Sequence, residues 1–380
     1  MSVYWHRKPL LIRQAFRDFK SPISPEQVLD VAFSDDAQAR LIRKSTKASI
    51  DTWRLDHAPL DFIPSLKTNN WTVLLQGADT EWDSIAALLG QFRFLSDARL
   101  DDLMISVASN GGGVGPHIDS YDVFLLQAHG KRHWRWGKPS RSQTALQPNQ
   151  PLRILKEFSG THEAVLEPGD MLYLPPSWAH DGVAQGICMT FSIGFRSATR
   201  KELTGDFLGR IASEAVAPIH AAQRLIDTST APSKTPAALP DALREAYSDW
   251  LLSWRPSQQQ IDQFLGEHLS EPRANVVFDP PLLKARSKPL SMQAFISKAC
   301  QNGLHLHRSS RALYDKKHLF LNGEAYNSRS KLIRAFFNQR YLNPIQLSCD
   351  NGQSANNRPR SADWDFMLEW YSNGWLNIGL

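Results

Sequence analysis

The sequence predicts an α+β protein in which an antiparallel β-barrel is followed by helices and by a small C-terminal domain. Three observations support this. Strand-like runs flank a glycine-rich turn between residues 101 and 127, and a second turn-and-strand segment at 166–180 can return to the same barrel. Beyond residue 199 apolar residues recur at helical spacing, and after residue 280 helices and strands alternate in the order of a winged helix.

Length and composition set the class of the protein. The chain has 380 residues, enough for two or three domains, with 42% hydrophobic and 21% charged residues, as in soluble globular proteins. It lacks the run of roughly 18 apolar residues that a membrane span needs. Three scattered cysteines predict a reducing compartment without disulfides, and hence a cytoplasmic protein. The net charge of +5 comes from dispersed residues, which favours a solvated surface over a nucleic-acid groove.

Residues 1–95 are interpreted as a lead-in that covers the barrel. Ser24, Pro25 and Gln27 form the pattern of an N-cap, a proline at the first helical position and a capping box. The run 71–76 is typical of a buried strand. These features predict one short helix and one strand before the barrel.

The first half of a candidate metal site follows the glycine-rich turn. His117 and Asp119 are two residues apart, so on a β-strand they would share a face and could bind one ion. A His-x-Asp pair alone is also typical of an ordinary surface. A phosphate-binding loop is a poor alternative, because no helix with Lys-Ser or Lys-Thr follows the glycines.

The second half is His180. The Glu167–Asp170 tetrapeptide predicts a tight turn, which leads into a short apolar strand, a proline-stiffened corner and then this histidine. An antiparallel barrel would bring His180 to the first pair of ligands. Two histidines and one carboxylate form a facial triad that leaves coordination positions open.

Strand alternation predicts which residues point into the barrel between 131 and 136. Arg132, Trp134 and Trp136 share one face, and the face with two tryptophans is the one a barrel buries. A buried arginine needs an anionic partner. That partner is either an internal acidic residue or the carboxylate of a bound molecule.

With these residues, the chain resembles the cupin-type JmjC oxygenases, specifically the bacterial ribosomal oxygenases that hydroxylate an arginine of a large-subunit ribosomal protein. The resemblance is carried by residues 101–136, 167–180 and 189–196. It implies a double-stranded β-helix, a helical dimerisation segment and a C-terminal winged-helix-like domain. The expected domains are 1–198 (catalytic, with cover elements), 199–279 (dimerisation, giving a homodimer) and 280–380 (winged helix).

The resemblance also implies Fe(II) and 2-oxoglutarate, with His117, Asp119 and His180 as metal ligands. It implies that Arg132 and Ser192 bind the co-substrate carboxylate. Alternation places Ser192 on one face with Thr190 and Gly194, although a serine that satisfies a backbone group is an alternative.

Substrate-binding roles are implied for Asp102, Met104 and Tyr121. Alternation puts Asp102 and Met104 on one face, and puts Tyr121 on the face of His117 and Asp119. A carboxylate would bind the guanidinium of the substrate arginine while Met104 and Tyr121 flank its stem. Ordinary core packing is the alternative for these residues.

Patterns beyond the barrel predict further elements. Leu203, Phe207 and Ile211 indicate a helix that runs from Thr199 to about Thr228, and a Ser-, Thr- and Pro-rich linker follows to Pro240. The remaining predictions are helices at 241–254, 256–268, 292–302, 332–340 and 363–372, strands at 305–314, 318–321 and 375–378, and a turn at 322–323. We expect the winged helix to have a structural role rather than to bind DNA.

The resemblance thus implies an enzyme that hydroxylates the β-carbon of an arginine in a large-subunit ribosomal protein. Three alternatives stay open. They are a histidine hydroxylase of a ribosomal protein, a non-catalytic cupin that binds ribosomes or DNA, and a Zn or Mn cupin isomerase.

Overall fold

A computed structural model describes residues 2–47, 50–213, 244–245, 248–249, 255–281, 289–347 and 359–379. The chain divides into two compact units. The first comprises Met1–Ser197, Pro272–Arg311 and Ser330–Leu380, and the second comprises Ala198–Glu271 and Ala312–Arg329. None of the helices in the described ranges has the length and apolar character needed to cross a membrane.

Ten antiparallel strands of the first unit form its main sheet. They are β1 (Leu10–Ile12), β2 (Ala39–Lys47), β3 (Ile50–His57), β4 (Trp71–Leu75), β5 (Leu100–Ala108), β6 (His117–Ile118), β7 (Asp122–Gly137), β8 (His162–Leu166), β9 (Met171–Leu174) and β10 (Ala179–Phe195). The order is β1-β9-β7-β10-β5-β4-β2-β3, with β6 paired to β10 and β8 paired to β7.

The two long strands β7 and β10 turn this sheet into two layers. The first half of β7 pairs with β9 and its second half pairs with β8, while β10 runs antiparallel along both halves. Buried side chains from both halves of β7 meet residues of β8 and β9 in one cluster: Val123, Leu125, Trp134, Trp136, Leu166, Leu172 and Leu174. The predicted double-stranded β-helix is confirmed.

The lead-in covers the outer face of the sheet, as predicted. The helix Pro25–Val31 has Ser24 as its N-cap with the expected capping box, and it packs with the helix Asp83–Gly90 on the main core. Strand β4 is buried at every position. The sequence pattern missed the β2–β3 hairpin, which extends the sheet beyond β4.

The C-terminal part of the first unit contains helices Met292–Asn302, Lys331–Gln339, Pro344–Leu347 and Ser361–Ser372. Between them lies a sheet of β11 (Leu304–Leu306), β15 (Tyr341–Leu342) and β16 (Leu376–Ile378). The predicted helices and the last strand are therefore confirmed. The single strand predicted at 305–314 is wrong, because the turn at Arg308 and Ser309 divides it.

The second unit contains helices Arg200–Ser213 and Gln258–Ser270 and a sheet of β12 (Ala312–Tyr314), β13 (His318–Leu321) and β14 (Glu324–Asn327). The turn at Asn322 and Gly323 is confirmed, with φ of 51° and 87°. The rest of the helix predicted to reach Thr228, the 228–240 linker and most of the helix predicted at 241–254 lie outside the described residues.

Candidate metal centre

The glycine-rich turn packs tightly against two strands, and this packing positions His117. A Cβ atom at Gly112 would lie 2.2 Å from the Trp71 carbonyl oxygen, and one at Gly113 would lie 2.5 Å from the Gly182 carbonyl oxygen. Only residues without side chains permit these approaches. The turn delivers His117 to β6, where it pairs directly with His180 of β10.

The strand predicted to run through His117 and Asp119 is shorter than expected. It ends at Ile118, and Asp119 to Tyr121 form a bend before β7, so the prediction of one continuous strand was wrong. The backbone carbonyl of Asp119 accepts a hydrogen bond from Ser177 N–H at 3.0 Å. This contact ties the bend to the corner that precedes His180.

The three predicted ligands nevertheless converge. Asp119 Oδ2 lies 3.9 Å from His117 Nε2 and 3.6 Å from His180 Nε2. One ligand atom of each residue lies within 4.8 Å of the other two. Since protein donors bind such ions at about 2.0–2.2 Å, these separations suit one shared ion.

Hydrogen bonds orient both imidazoles for metal binding. His117 Nδ1 is 2.9 Å from the Gly115 carbonyl oxygen, and His180 Nδ1 is 3.1 Å from the Trp178 carbonyl oxygen. When each Nδ1–H donates to its carbonyl, each Nε2 keeps a lone pair. Burial, followed by the nearby His117, lowers the pKa of His180 to about 4, so this ligand is neutral. The donor set fits Fe(II) with open positions.

Arg132 lies on the inward face as predicted and is only 4% exposed. Its Nε donates to Cys188 Sγ at 3.4 Å, its Nη1 donates to Ser106 Oγ at 3.0 Å, and its buried Nη2 has no hydrogen-bond partner among the described residues. No acidic residue within the described ranges forms an ion pair with it. The alternative of an internal carboxylate partner therefore has no support, and the site fits a bound carboxylate.

Sequence patterns did not identify two polar residues that contact Arg132. Ser106 and Cys188 accept hydrogen bonds from its guanidinium and orient it. Ser192 lies on the inner face, opposite Met104 in the register of β10 with β5. It is 9% exposed and makes no hydrogen bond with a described residue through its hydroxyl.

Asp102, one of the proposed substrate residues, lies near the start of β5, and Tyr121 lies in the bend before β7. Asp102 is 7% exposed, and its Oδ2 accepts a hydrogen bond from Gly77 N–H at 3.0 Å. Burial, reinforced by Asp101, raises the pKa of Asp102 to about 6. Burial also raises the pKa of Tyr121, and the Asp119 and Asp102 carboxylates raise it further. Tyr121 therefore lies in a region of negative potential.

Comparison with known proteins agrees with this geometry. The JmjC domain family matches residues 87–203, and the ROXA-like winged helix family matches residues 251–377. The ribosomal protein uL16 3-hydroxylase of Escherichia coli is 31% identical over 278 residues, which is 73% of this chain and 72% of that protein. A probable ribosomal oxygenase of Haemophilus influenzae is 37% identical over 51% of this chain and 48% of its own.

A solved structure extends the likeness to the whole chain. The E. coli ribosomal oxygenase YcfD, in complex with cobalt and 2-oxoglutarate, superposes with a TM-score of 0.76 at 27% identity, covering 98% of this chain and 95% of that one. The matched domains, the shared sequence and the His-Asp-His cluster point the same way. This chain belongs to the ribosomal oxygenases, which are JmjC-type enzymes that use Fe(II) and 2-oxoglutarate.

Proposed function

We propose that this enzyme hydroxylates the β-carbon of an arginine in ribosomal protein uL16. The observation that carries the proposal is the arrangement along one barrel interior. The first unit contains a three-ligand metal site, the buried Arg132 whose Nη2 has no hydrogen-bond partner among the described residues, and the buried carboxylate of Asp102. The relative named as a uL16 3-hydroxylase supports the target and the carbon, since position 3 is the β-carbon.

Arg132 would hold the far carboxylate of 2-oxoglutarate through its unpartnered Nη2. Ser106 accepts a hydrogen bond from Nη1 of Arg132 and so keeps the guanidinium in place. The buried Ser192 would donate a hydrogen bond from its hydroxyl to the same co-substrate. When bound, iron and 2-oxoglutarate consume O2, yield succinate and CO2, and insert one oxygen atom into a substrate C–H bond. Trp134 is buried and its ring lies 5.9 Å from the ring of His180, so it would help to exclude water from this reaction.

Asp102 would fix the substrate. Its carboxylate binds the guanidinium, while Met104 and Tyr121 flank the aliphatic stem, so that the β-carbon faces the metal. The negative potential that Asp101, Asp102 and Asp119 create around Tyr121 would attract the positively charged substrate arginine.

Mass spectrometry of a uL16 peptide incubated with the enzyme, Fe(II), 2-oxoglutarate and O2 tests this function. We expect a gain of one oxygen atom on arginine and an equal amount of succinate. His117→Ala should abolish both products, because it removes a metal ligand. His129→Ala, at an exposed position, is the matched control and should retain activity. Oxygen found on a histidine instead of an arginine would contradict the proposed target.

We also propose that the protein is a cytoplasmic homodimer and that the ribosomal protein substrate is its binding partner. Within the second unit, the rings of Phe207 and Phe264 from the two helices meet edge to face with centroids 5.0 Å apart, and Leu208 is 48% exposed. An exposed leucine beside a small aromatic core is consistent with a subunit interface.

The winged helix is proposed to stabilise the barrel rather than to bind DNA, because the Arg93 side chain donates hydrogen bonds to the carbonyls of Phe337 and Asn338.

A further inference from the structure

Gly194 of β10 lies between the two residues proposed to grip the substrate. A methyl group built at Gly194 would lie 3.7 Å from Asp102 Oδ1 and 3.8 Å from Tyr121 Cε2. One position beside the Gly194 backbone is thus close to both a carboxylate oxygen and an aromatic ring. A side chain at residue 194 would occupy that position.

The backbone does not require glycine here. Gly194 is not among the glycines with a positive φ, and it continues the pairing of β10 with Val123 of β7. On its other side it lies where the register of β10 with β5 shifts, between Ile193 and Phe195. The nearest contacts of an added Cβ atom are of ordinary van der Waals length. Alanine would therefore fit without strain, so fold alone does not explain the missing side chain.

The chemistry around this position suits a flat cation. Oδ2 of Asp102 is engaged by Gly77 N–H, whereas Oδ1, on the Gly194 side, has no hydrogen bond from a described residue. The ring of Tyr121 lies within the field of Asp102 and Asp119. A guanidinium binds a carboxylate edge-on and stacks on an aromatic face.

We propose that Gly194 is a specificity-determining residue. Its missing side chain leaves a slot in which the guanidinium of the substrate arginine lies between the Asp102 carboxylate and the Tyr121 ring. This inference rests on the proposed function, because it takes arginine as the substrate. A methyl group at residue 194 would narrow the slot and hold the guanidinium away from Asp102.

The test uses Gly194→Ala, with binding of an arginine-containing uL16 peptide to the Co(II)- and 2-oxoglutarate-loaded protein as the readout. We expect peptide affinity to fall by roughly tenfold to a hundredfold, the usual effect of one methyl-sized misfit in a binding pocket. The melting temperature and the affinity for 2-oxoglutarate should stay unchanged. Gly90→Ala is the matched control, since a Cβ atom there meets nothing within 4 Å. Equal peptide affinity in Gly194→Ala and wild type would overturn the inference while leaving the proposed function intact.

A second measurement needs no variant. A uL16 peptide whose arginine carries two methyl groups on the guanidinium should bind the wild-type protein at least about tenfold more weakly than the unmodified peptide, because the slot has no room for them. Equal binding of the two peptides would refute the slot. If the wild-type protein binds neither peptide, the proposed function fails and the inference fails with it.

Discussion

The guanidinium of Arg132 is oriented for a ligand, and its burial lowers the stability of the ligand-free protein. Cys188 and Ser106 fix its orientation, yet Nη2 remains buried and unpartnered. A buried cation without a counter-charge is destabilising. A carboxylate that arrives at Nη2 would remove this cost, so ligand binding and stability are coupled at this residue.

Arg132→Met tests the coupling. Each charge-assisted hydrogen bond is worth about 1.5–3 kcal/mol, so the variant should bind 2-oxoglutarate at least about tenfold more weakly. Without co-substrate its melting temperature should equal or exceed that of wild type, because no charge is buried. Lys131→Met, on the exposed face of the same strand, should change neither value. Thermal unfolding with and without Co(II) and 2-oxoglutarate measures both. Full stabilisation of Arg132→Met by 2-oxoglutarate would exclude Arg132 as the anchor.

The raised pKa of Asp102 predicts that the affinity for the substrate peptide depends on pH. Because burial raises the pKa of Asp102 to about 6, the group is a carboxylate above that pH and a neutral acid below it. Only the carboxylate pairs with a guanidinium, so peptide affinity should be constant above pH 7 and fall as pH drops through 6. At pH 5 the loss should be roughly tenfold, from the ionised fraction alone.

Asp102→Asn provides the control for this prediction. The variant should bind the peptide weakly at every pH, since its amide cannot titrate in this range. Fluorescence anisotropy of a labelled peptide on the Co(II)- and 2-oxoglutarate-loaded protein measures the curves. If peptide affinity depends on pH in the same way for the variant and the wild type, a group other than Asp102 causes the dependence.

At the scale of elements, the glycine-rich turn links the two halves of the metal site. Gly113 approaches the Gly182 carbonyl on the strand that carries His180, and His117 follows four residues later. Gly113→Ala should push the turn away from β10 and separate the two histidines. We expect metal affinity to fall by about 10–100-fold, as for other changes that disturb ligand orientation. Calorimetric titration with Co(II) measures this, with Gly90→Ala as control. Unchanged affinity would mean that the turn does not set the ligand geometry.

Strand alternation predicted the inward face of β7 correctly between Arg132 and Trp136, because burial alternates along that part of the strand. It failed between Asp119 and Tyr121, where the local pattern resembles a strand but the chain bends after Ile118. The convergence of Ser106 and Cys188 on Arg132 depends on how distant strands pair. No local pattern in the sequence encodes that register.

At the scale of the whole molecule, distant segments of chain support the end of β5 that carries Asp102. Asp79 is buried, accepts a hydrogen bond from Leu103 N–H of β5 and forms an ion pair with Arg273, which follows the helix Gln258–Ser270 in the sequence. Sequence patterns could not predict this pairing, since its partners are 194 residues apart. The C-terminal segment is thus part of the support of the substrate site.

The proposed homodimer is a prediction at the same scale. The exposed Leu208 should lie at the subunit interface, so sedimentation at micromolar concentration should show a dimer. Leu208→Glu should shift the equilibrium toward monomer, because a charge in an apolar interface is unfavourable. Leu146→Glu, another exposed leucine far along the chain, is the control and should leave the dimer intact. A wild-type protein that sediments only as a monomer would contradict the dimer.

A crystal structure with Co(II) and 2-oxoglutarate tests the central claim most directly. Anomalous scattering would locate the ion without reference to the protein coordinates. We predict one cobalt ion within about 2.0–2.3 Å of His117 Nε2, Asp119 Oδ and His180 Nε2, with the far carboxylate of 2-oxoglutarate on Arg132 Nη2. An ion that binds elsewhere, or a co-substrate that leaves Arg132 unpaired, would contradict it.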